Sequence, residues 1–376
     1  MIPVYKPYLP KGSLIKAHQA LDSTWISSKG EYISEIENKL STMYSLGDAR
    51  INSATVTNNG TSATHLVAKL LNRKYPKINT IIVPNNVYVA AWNSFLFDNK
   101  YKLIAVEADL NTWNYNKDTL YELLSKSDLE TTALLVVHNI GNIVNVPQIL
   151  RDWKDLVIVE DNCEGFLGQY EGVPSGSSSL AASISFFGNK NITSGEGGAV
   201  ISSFNNLSFL YCLRSQGQSQ KKFIHSELGY NYRMTNVQAA ILSGQLDVVN
   251  DVVNMKKSVF DTYKKSIKEI DGVEFQTIEK NTKHSNWMFG VRINGNGEYD
   301  NVEEFFHKNY IEVRPMFYPI NKHDHLKDIE VYGGISVAER LNRECVILPS
   351  FPELQEHELA HIVNVLKEYV RGIKWK

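Results

Sequence analysis

LVIVED, residues 156–161, is a run of four apolar residues ending in two carboxylates. A strand with one wet face would alternate apolar and polar side chains, and this one does not. It reads as a strand covered on both faces, as in a parallel sheet lying between helices. Working outward, TIIVP (80–84), KLIAVEA (102–108), TALLVVH (132–138), ASISFF (182–187) and GAVISS (198–203) also read as strands. Between them SATHLVAKLLNR (62–73) and YVAAWNSFLFD (88–98) carry helical spacing. Alternating strands and helices predict an α/β domain with crossover connections.

The pattern changes after about residue 245. QLDVVNDVVNMKKSVFDTYKKSIKEI (245–270) reads as one long amphipathic helix, with apolar residues at three- and four-residue steps. NWMFGVRI (286–293) and IEVRPMF (311–317) are strand candidates, and EHELAHIVNVLKEYVRGI (356–373) is a last helix. The expected division is a large domain over 1–245, with its sheet mostly parallel, and a smaller C-terminal α+β domain over 246–376.

Composition narrows the partners. The chain has 376 residues, 43% hydrophobic and 21% charged, with 39 Lys and Arg against 41 Asp and Glu. A nucleic-acid binder would need a surplus of cations, and the net charge here is −2. MIPVYKPYLPKGSLIKAHQAL lacks the apolar run of a signal peptide, and no stretch is apolar for long enough to span a membrane. Cys163, Cys212 and Cys345 are odd in number and widely spaced. That fits neither a disulfide framework nor a metal site, and the expected setting is a reducing cytoplasm.

Ligands of open parallel sheets collect at the carboxyl ends of the strands. Asp161 ends LVIVED there, and Lys190 follows SISFF in SFFGNKNITSGEGG (185–198). VTNNGTSATHL (56–66) is a glycine-and-hydroxyl turn running into a helix, which offers free N–H groups and a positive dipole end to an anion. Singly each has an ordinary reading: a helix cap, a solvated cation, a plain helix start. Together and in this order they match pyridoxal 5'-phosphate, which needs a lysine amine for its aldehyde, an acid to keep its ring nitrogen protonated, and a phosphate pocket.

The chain resembles the nucleotide-sugar aminotransferases of the DegT/DnrJ class, which are fold-type I pyridoxal-phosphate enzymes. The likeness runs through STWISSKGEYISEIENKL (23–40), NGTSATHL, VPNNVYVAAWNSFL, VIVEDNCEGFLGQYEG (157–172) and SFFGNKNITSGEGGAV. It continues in HSELGYNYRMTNVQAAI (225–241), IEVRPMFYPINKH (311–323) and VILPSFPEL (346–354), so it covers nearly the whole chain. The resemblance implies that Lys190 binds the cofactor and moves the proton, and that Asp161 pairs with the ring nitrogen. It places Glu164 near the phenolic oxygen, Tyr88 on the ring face, and Thr61, Ser62 and Ser185 at the phosphate. Asn231, in GYNYRMT, matches an asparagine that reaches the phosphate from a neighbouring subunit, which implies a homodimer with a shared active site. Arg314, Tyr318 and His323 are the expected rim for the sugar nucleotide. No metal is expected.

Relatives often carry two alanines after the aspartate, where this chain has Asn162–Cys163, and HNIGNIVNV (138–146) also departs from the commoner form. Class members that remove a 3-hydroxyl replace the lysine by histidine, so Lys190 argues for amination. FGNK, FIHSELGYNYRM and RPMFYP are most similar to enzymes that aminate C4 of a nucleotide-linked 4-keto-6-deoxyhexose, with L-glutamate as donor. A 3-keto-sugar aminotransferase and a non-catalytic regulator on the same fold are the alternatives. A nicotinamide enzyme would want G-x-G-x-x-G after its first strand, which is absent.

Overall fold

The computed structural model describes residues 1–45 and 53–373. Two helices lead, α1 (Lys11–Asp22) and α2 (Glu31–Tyr44), followed by β1 (Ser53–Thr57) and α3 (Gly60–Lys74). Then come β2 (Thr80–Pro84), α4 (Ala90–Leu96), β3 (Lys102–Val106), α5 (Lys117–Lys126), β4 (Thr132–Val137), α6 (Val146–Asp152) and β5 (Val157–Asp161). A short pair, β6 (Gln169–Tyr170) and β7 (Val173–Pro174), precedes β8 (Ala181–Ser185), β9 (Gly198–Ser202) and α7 (Leu207–Arg214). Helices α8 (Asn236–Leu246) and α9 (Val249–Ile267) lead to β10 (Val273–Glu274), β11 (Thr282–Lys283), β12 (Phe289–Ile293) and α10 (Tyr299–Lys308). The chain closes with β13 (Arg314–Pro315), β14 (Glu330–Tyr332), α11 (Ser336–Glu344), β15 (Cys345–Leu348) and α12 (Glu356–Ile373).

The large sheet has the order β1-β9-β8-β5-β4-β2-β3-β14. Every neighbouring pair is parallel except the two that β9 makes. The side chains of β4 show why its sequence is apolar throughout. Ala133, Leu135 and Val137 pack in the core that holds Leu66, Leu70 and Trp92 of α3 and α4. Leu134 and Val136 face the opposite core, with Leu120 of α5 and Ile149 of α6. Successive strand residues point to opposite faces, and here both faces carry helices. A four-stranded antiparallel sheet, β10-β12-β15-β13, packs Phe289 against Phe260 and Tyr263 of α9 and against Ile362 and Leu366 of α12. Among the described residues, no helix is long and apolar enough to cross a membrane.

Three sequence expectations need correction. The helix expected over 245–270 breaks at Asp247–Val248, where Val248 leaves helical geometry (φ −117°, ψ 24°). No Gly or Pro sits at that break. Tertiary charge pins it instead, because Asp247 accepts ion pairs from Lys16 of α1 (2.8 Å) and Lys39 of α2 (2.5 Å). The strand expected over 311–317 shrinks to two paired residues. Strands β1 and β14 went unread, since one mixes Thr with Ala and Val and the other has three residues. β14 also returns from the C-terminal part of the chain to pair with β3.

Helix α1 is held through a backbone contact. A Cβ added to Gly244 of α8 would meet the Ser13 nitrogen at 2.3 Å and its Cα at 2.5 Å. The Ser13 hydroxyl donates to the Ile241 carbonyl at 2.8 Å. Gly244→Ala improves intrinsic helix propensity by about 1 kcal/mol, yet it forces α1 off its seat. A net loss of ~1–3 kcal/mol is expected from such overpacking. Thermal unfolding should show it, together with faster proteolysis within α1; an unchanged melting temperature would contradict this packing.

Candidate active site

Parallel β5 and β8 pair Asp161 with Ser183, so the ends of both strands open onto one edge of the sheet. The two carboxylates of LVIVED point to opposite faces there. Glu160 is fully buried and structural. His138 Nδ1 accepts the Val144 N–H at 3.2 Å, so its protonated Nε2 donates to Glu160 Oε2 at 2.9 Å. Tyr170 Oη and the Gly176 N–H also donate to Glu160. Asp161, on the other face, is 6% exposed and accepts the Cys163 N–H through Oδ1 at 3.0 Å.

Strand β1 delivers the α3 N-terminus to the same edge. Asn59 caps the helix, its Oδ1 accepting the Ser62 N–H at 2.8 Å. A Cβ on Gly60 would lie 2.7 Å from Ser185 Cβ, 2.9 Å from Ser185 Oγ and 3.2 Å from Cys163 Sγ. Only glycine lets the first turn of the helix approach β8 this closely. Thr61, Ser62 and Ser185 therefore surround a helix N-terminus, where first-turn N–H groups lack intrahelical partners. This donor set fits the phosphate of pyridoxal phosphate, and Asp161 at the same edge fits its ring nitrogen.

Lys190 follows the end of β8 by five residues and is half-buried. Its Nζ lies 3.8 Å from the centroid of the Trp287 ring. Glu164 is 5% exposed, and its Oε2 accepts the Ile140 N–H at 2.8 Å. Burial raises the Glu164 carboxyl from 4.5 to about 7; Lys190 and the Ile140 N–H pull it down, and Asp161 pushes it up. One carboxyl thus feels both Lys190 and Asp161. Burial and the Asp161 charge likewise drive the Cys163 thiol well above its ordinary range, which leaves it protonated and inert.

The remaining expected residues are placed unevenly. Tyr88 is 59% exposed, its ring 5.9 Å from that of Phe317. The neighbouring segment docks beside it through the Ile320 N–H to the Asn85 carbonyl, 2.8 Å, and His323 lies edge-on to Trp92. Tyr318 is exposed. Arg314 is exposed, with its guanidinium 3.7 Å from Glu312. Asn231 is exposed and bridges to Ser215.

Sequence reasoning missed the role of segment 284–287, of which Asn286 and Trp287 were read as the start of a strand that begins only at Phe289. Ser285 Oγ donates to the Glu164 carbonyl at 2.6 Å, and its own carbonyl accepts Asn191 Nδ2 at 2.9 Å. Trp287 Nε1 donates to the Asn189 carbonyl at 3.0 Å, and Tyr5 Oη donates to the Lys190 carbonyl at 2.7 Å. The Asn58, Asn189 and Asn191 side-chain oxygens are buried without a partner among the described residues. The local signal was the departure in HNIGNIVNV, where a Cβ on Gly141 would meet Ser285 Oγ at 2.3 Å and the Trp287 nitrogen at 3.3 Å; the departure at Cys163 marks the Gly60 approach instead.

The Glu164 shift has a measurable sign. The folded protein holds this proton more tightly than the unfolded chain, so the stabilisation is complete below the unfolded value and drains away as pH rises through about 7. The shift amounts to roughly 3 kcal/mol. Cofactor-free wild type should lose stability between about pH 5 and about pH 8 relative to Glu164→Gln, measured by denaturant unfolding. Parallel pH curves for the two proteins would contradict a protonated Glu164.

Comparison with known proteins gives the family. The DegT/DnrJ/EryC1/StrS aminotransferase family matches residues 10–367. A GDP-perosamine synthase of Escherichia coli O157:H7 is 33% identical over 373 residues, 98% of each chain. A GDP-perosamine synthase of Vibrio cholerae is 30% identical, covering 99% of this chain and 100% of the relative. Among solved structures, E. coli GDP-4-keto-6-deoxy-D-mannose-3-dehydratase with bound hydrated PLP superposes with a TM-score of 0.88 at 21% identity, over 98% of this chain and 99% of that one. The fold is that of the fold-type I pyridoxal-phosphate transferases. The chain belongs to the DegT/DnrJ/EryC1/StrS aminotransferase family and is a pyridoxal-phosphate-dependent aminotransferase.

Proposed function

We propose that the protein transfers the amino group of L-glutamate to C4 of a nucleotide-linked 4-keto-6-deoxyhexose, giving the 4-amino-4,6-dideoxy sugar nucleotide and 2-oxoglutarate. The observation that carries this reading is the gathering of Lys190, Asp161, Glu164 and the α3 N-terminus at one sheet edge. Similarity over the full length to GDP-perosamine synthases supports amination at C4. Lys190 in place of histidine supports amination over dehydration.

Pyridoxal phosphate, when bound, supplies an aldehyde that captures an amine and a ring that accepts the electrons of a breaking C–H bond. In this reading Lys190 holds the cofactor through its amine. Released, the amine takes the proton from the donor's α-carbon and later delivers one to the sugar's C4. Asp161 keeps the ring nitrogen protonated. Glu164, with a carboxyl balanced near neutrality, shares a proton with the phenolic oxygen. Thr61, Ser62 and Ser185 hold the phosphate and Tyr88 covers the ring face. Tyr318 and His323, docked beside Tyr88 through the 317–325 segment, form the sugar-nucleotide rim, with Arg314 available to a diphosphate farther out.

Apolar exposure supports a homodimer. Leu14, Ile15, Leu21, Trp25 and Ile26 are exposed on and after α1, and Phe223 and Leu228 are exposed on the loop that leads to Asn231. Such surface marks a partner, and a partner would give Asn231 a second site to reach. We further place the protein in the cytoplasm, consistent with three unpaired cysteines. We divide the chain into domains near residue 245, where the large-sheet core gives way to the core built on α9 and α12.

Purified enzyme should be offered glutamate with several 4-keto and 3-keto nucleotide sugars, and the products analysed by mass spectrometry. A gained amine whose fragments place it on C4 is expected; amination only of 3-keto sugars would transfer the assignment to the alternative. Lys190→Ala should leave a folded protein with kcat reduced by at least roughly a thousandfold, the scale of a lost acid–base group. Retention of wild-type turnover would exclude Lys190 from the chemistry.

A further inference from the structure

A lysine that binds a cofactor covalently must spend part of each cycle detached, carrying the proton it has removed. Lys190 is half-buried, and no described carboxylate lies within 4.0 Å of its Nζ to form an ion pair. What faces it is the Trp287 ring, 3.8 Å from Nζ to centroid. The indole is 5% exposed, so the contact is largely shielded from water, and a desolvated ammonium over an indole face is the stronger form of the cation–π contact.

The ring is held from several sides. Its Nε1 donates to the Asn189 carbonyl at 3.0 Å, one residue before the lysine. The Trp287 backbone carbonyl accepts from Lys256 Nζ at 2.8 Å, and the same amine also donates to the Ser350 carbonyl. Lys256 is 1% exposed, occupies a core position in the apolar stripe of α9, and lies over the Tyr5 ring, whose hydroxyl donates to the Lys190 carbonyl. Burial drives its pKa well down. Asn286, just before Trp287, adopts φ +56°, which turns the chain so that Ser285 reaches Glu164 while Trp287 reaches Lys190. A side chain fixed this firmly offers a constant seat to a mobile amine.

We infer that Trp287 is a positioning residue that receives the Lys190 ammonium on its indole face whenever that amine is detached from the cofactor. The inference rests on the reading of Lys190 as the cofactor-binding amine. It implies that Trp287 stabilises the pyridoxamine form of the enzyme, in which Lys190 is free, relative to the pyridoxal form, in which it is bound.

The test compares wild type with Trp287→Leu and Trp287→Phe. Absorbance spectra at fixed ratios of glutamate to 2-oxoglutarate give the equilibrium between the two cofactor forms, which the fraction of well-folded protein does not alter. Trp287→Leu should shift it toward pyridoxal by about three- to thirtyfold, and Trp287→Phe, which keeps a ring, by less. In the cofactor-free full chain, acylation of Lys190 followed by peptide mass spectrometry should be faster in Trp287→Leu by a similar factor, with the other lysines as internal reference. Unchanged equilibrium and acylation in Trp287→Leu, or equal shifts in both variants, would overturn the role of the ring face. If wild type itself gives no cofactor band that responds to glutamate, the functional reading fails and takes this inference with it.

Discussion

The parallel pairing of β5 with β8 is the constraint on which the other features of the site depend. Side chains that leave two parallel neighbours emerge at the same edge of the sheet, and the register of Asp161 opposite Ser183 sets which ones do. One residue of slip would turn Asp161 toward the face that holds His138 and Tyr170, and would bring Glu160 to the cofactor side. The Glu160 cluster resists that slip. Its carboxyl is fully buried and accepts from His138, Tyr170 and Gly176, so displacing it would leave these buried polar groups without partners. The carboxylate with no catalytic role therefore secures the position of the one assigned to the cofactor.

A second layer of support comes from far along the chain. Residues 284–287 touch the Glu164 backbone, the Asn191 side chain and the Lys190 amine, and Lys256 of α9 fastens their far side. The part of the chain that builds the small sheet thus helps shape the site made by the large one. β14 adds a similar tie by pairing with β3. The site is a joint product of both sheets.

Much of this was legible in the sequence, for a physical reason. LVIVED and TALLVV announce two covered faces by lacking alternation, and once the sheet is parallel, Asp161 and Lys190 must share an edge. The α3 turn was legible because Asn and Gly directly ahead of a helix-spaced apolar run mark a helix start. Trp287, Ser285 and Tyr5 were not, because their roles arise from contacts between distant segments and leave no local pattern. Lys256 was hidden in a charged-looking KK pair, although its place in the α9 stripe sets it inside the core. The break at Asp247 was hidden too, since lysines of α1 and α2 hold it rather than a residue type that stops helices. Arg314 was readable as a cation but not as one already facing Glu312.

The central claim is that one amine at this sheet edge binds the cofactor while Asp161 faces the ring from the other side. Its most direct measurement is borohydride reduction of the pyridoxal-phosphate-loaded protein, followed by proteolysis and peptide mass mapping. The account predicts a single phosphopyridoxyl adduct, on the peptide that carries Lys190. An adduct on any other lysine, or none, would contradict it.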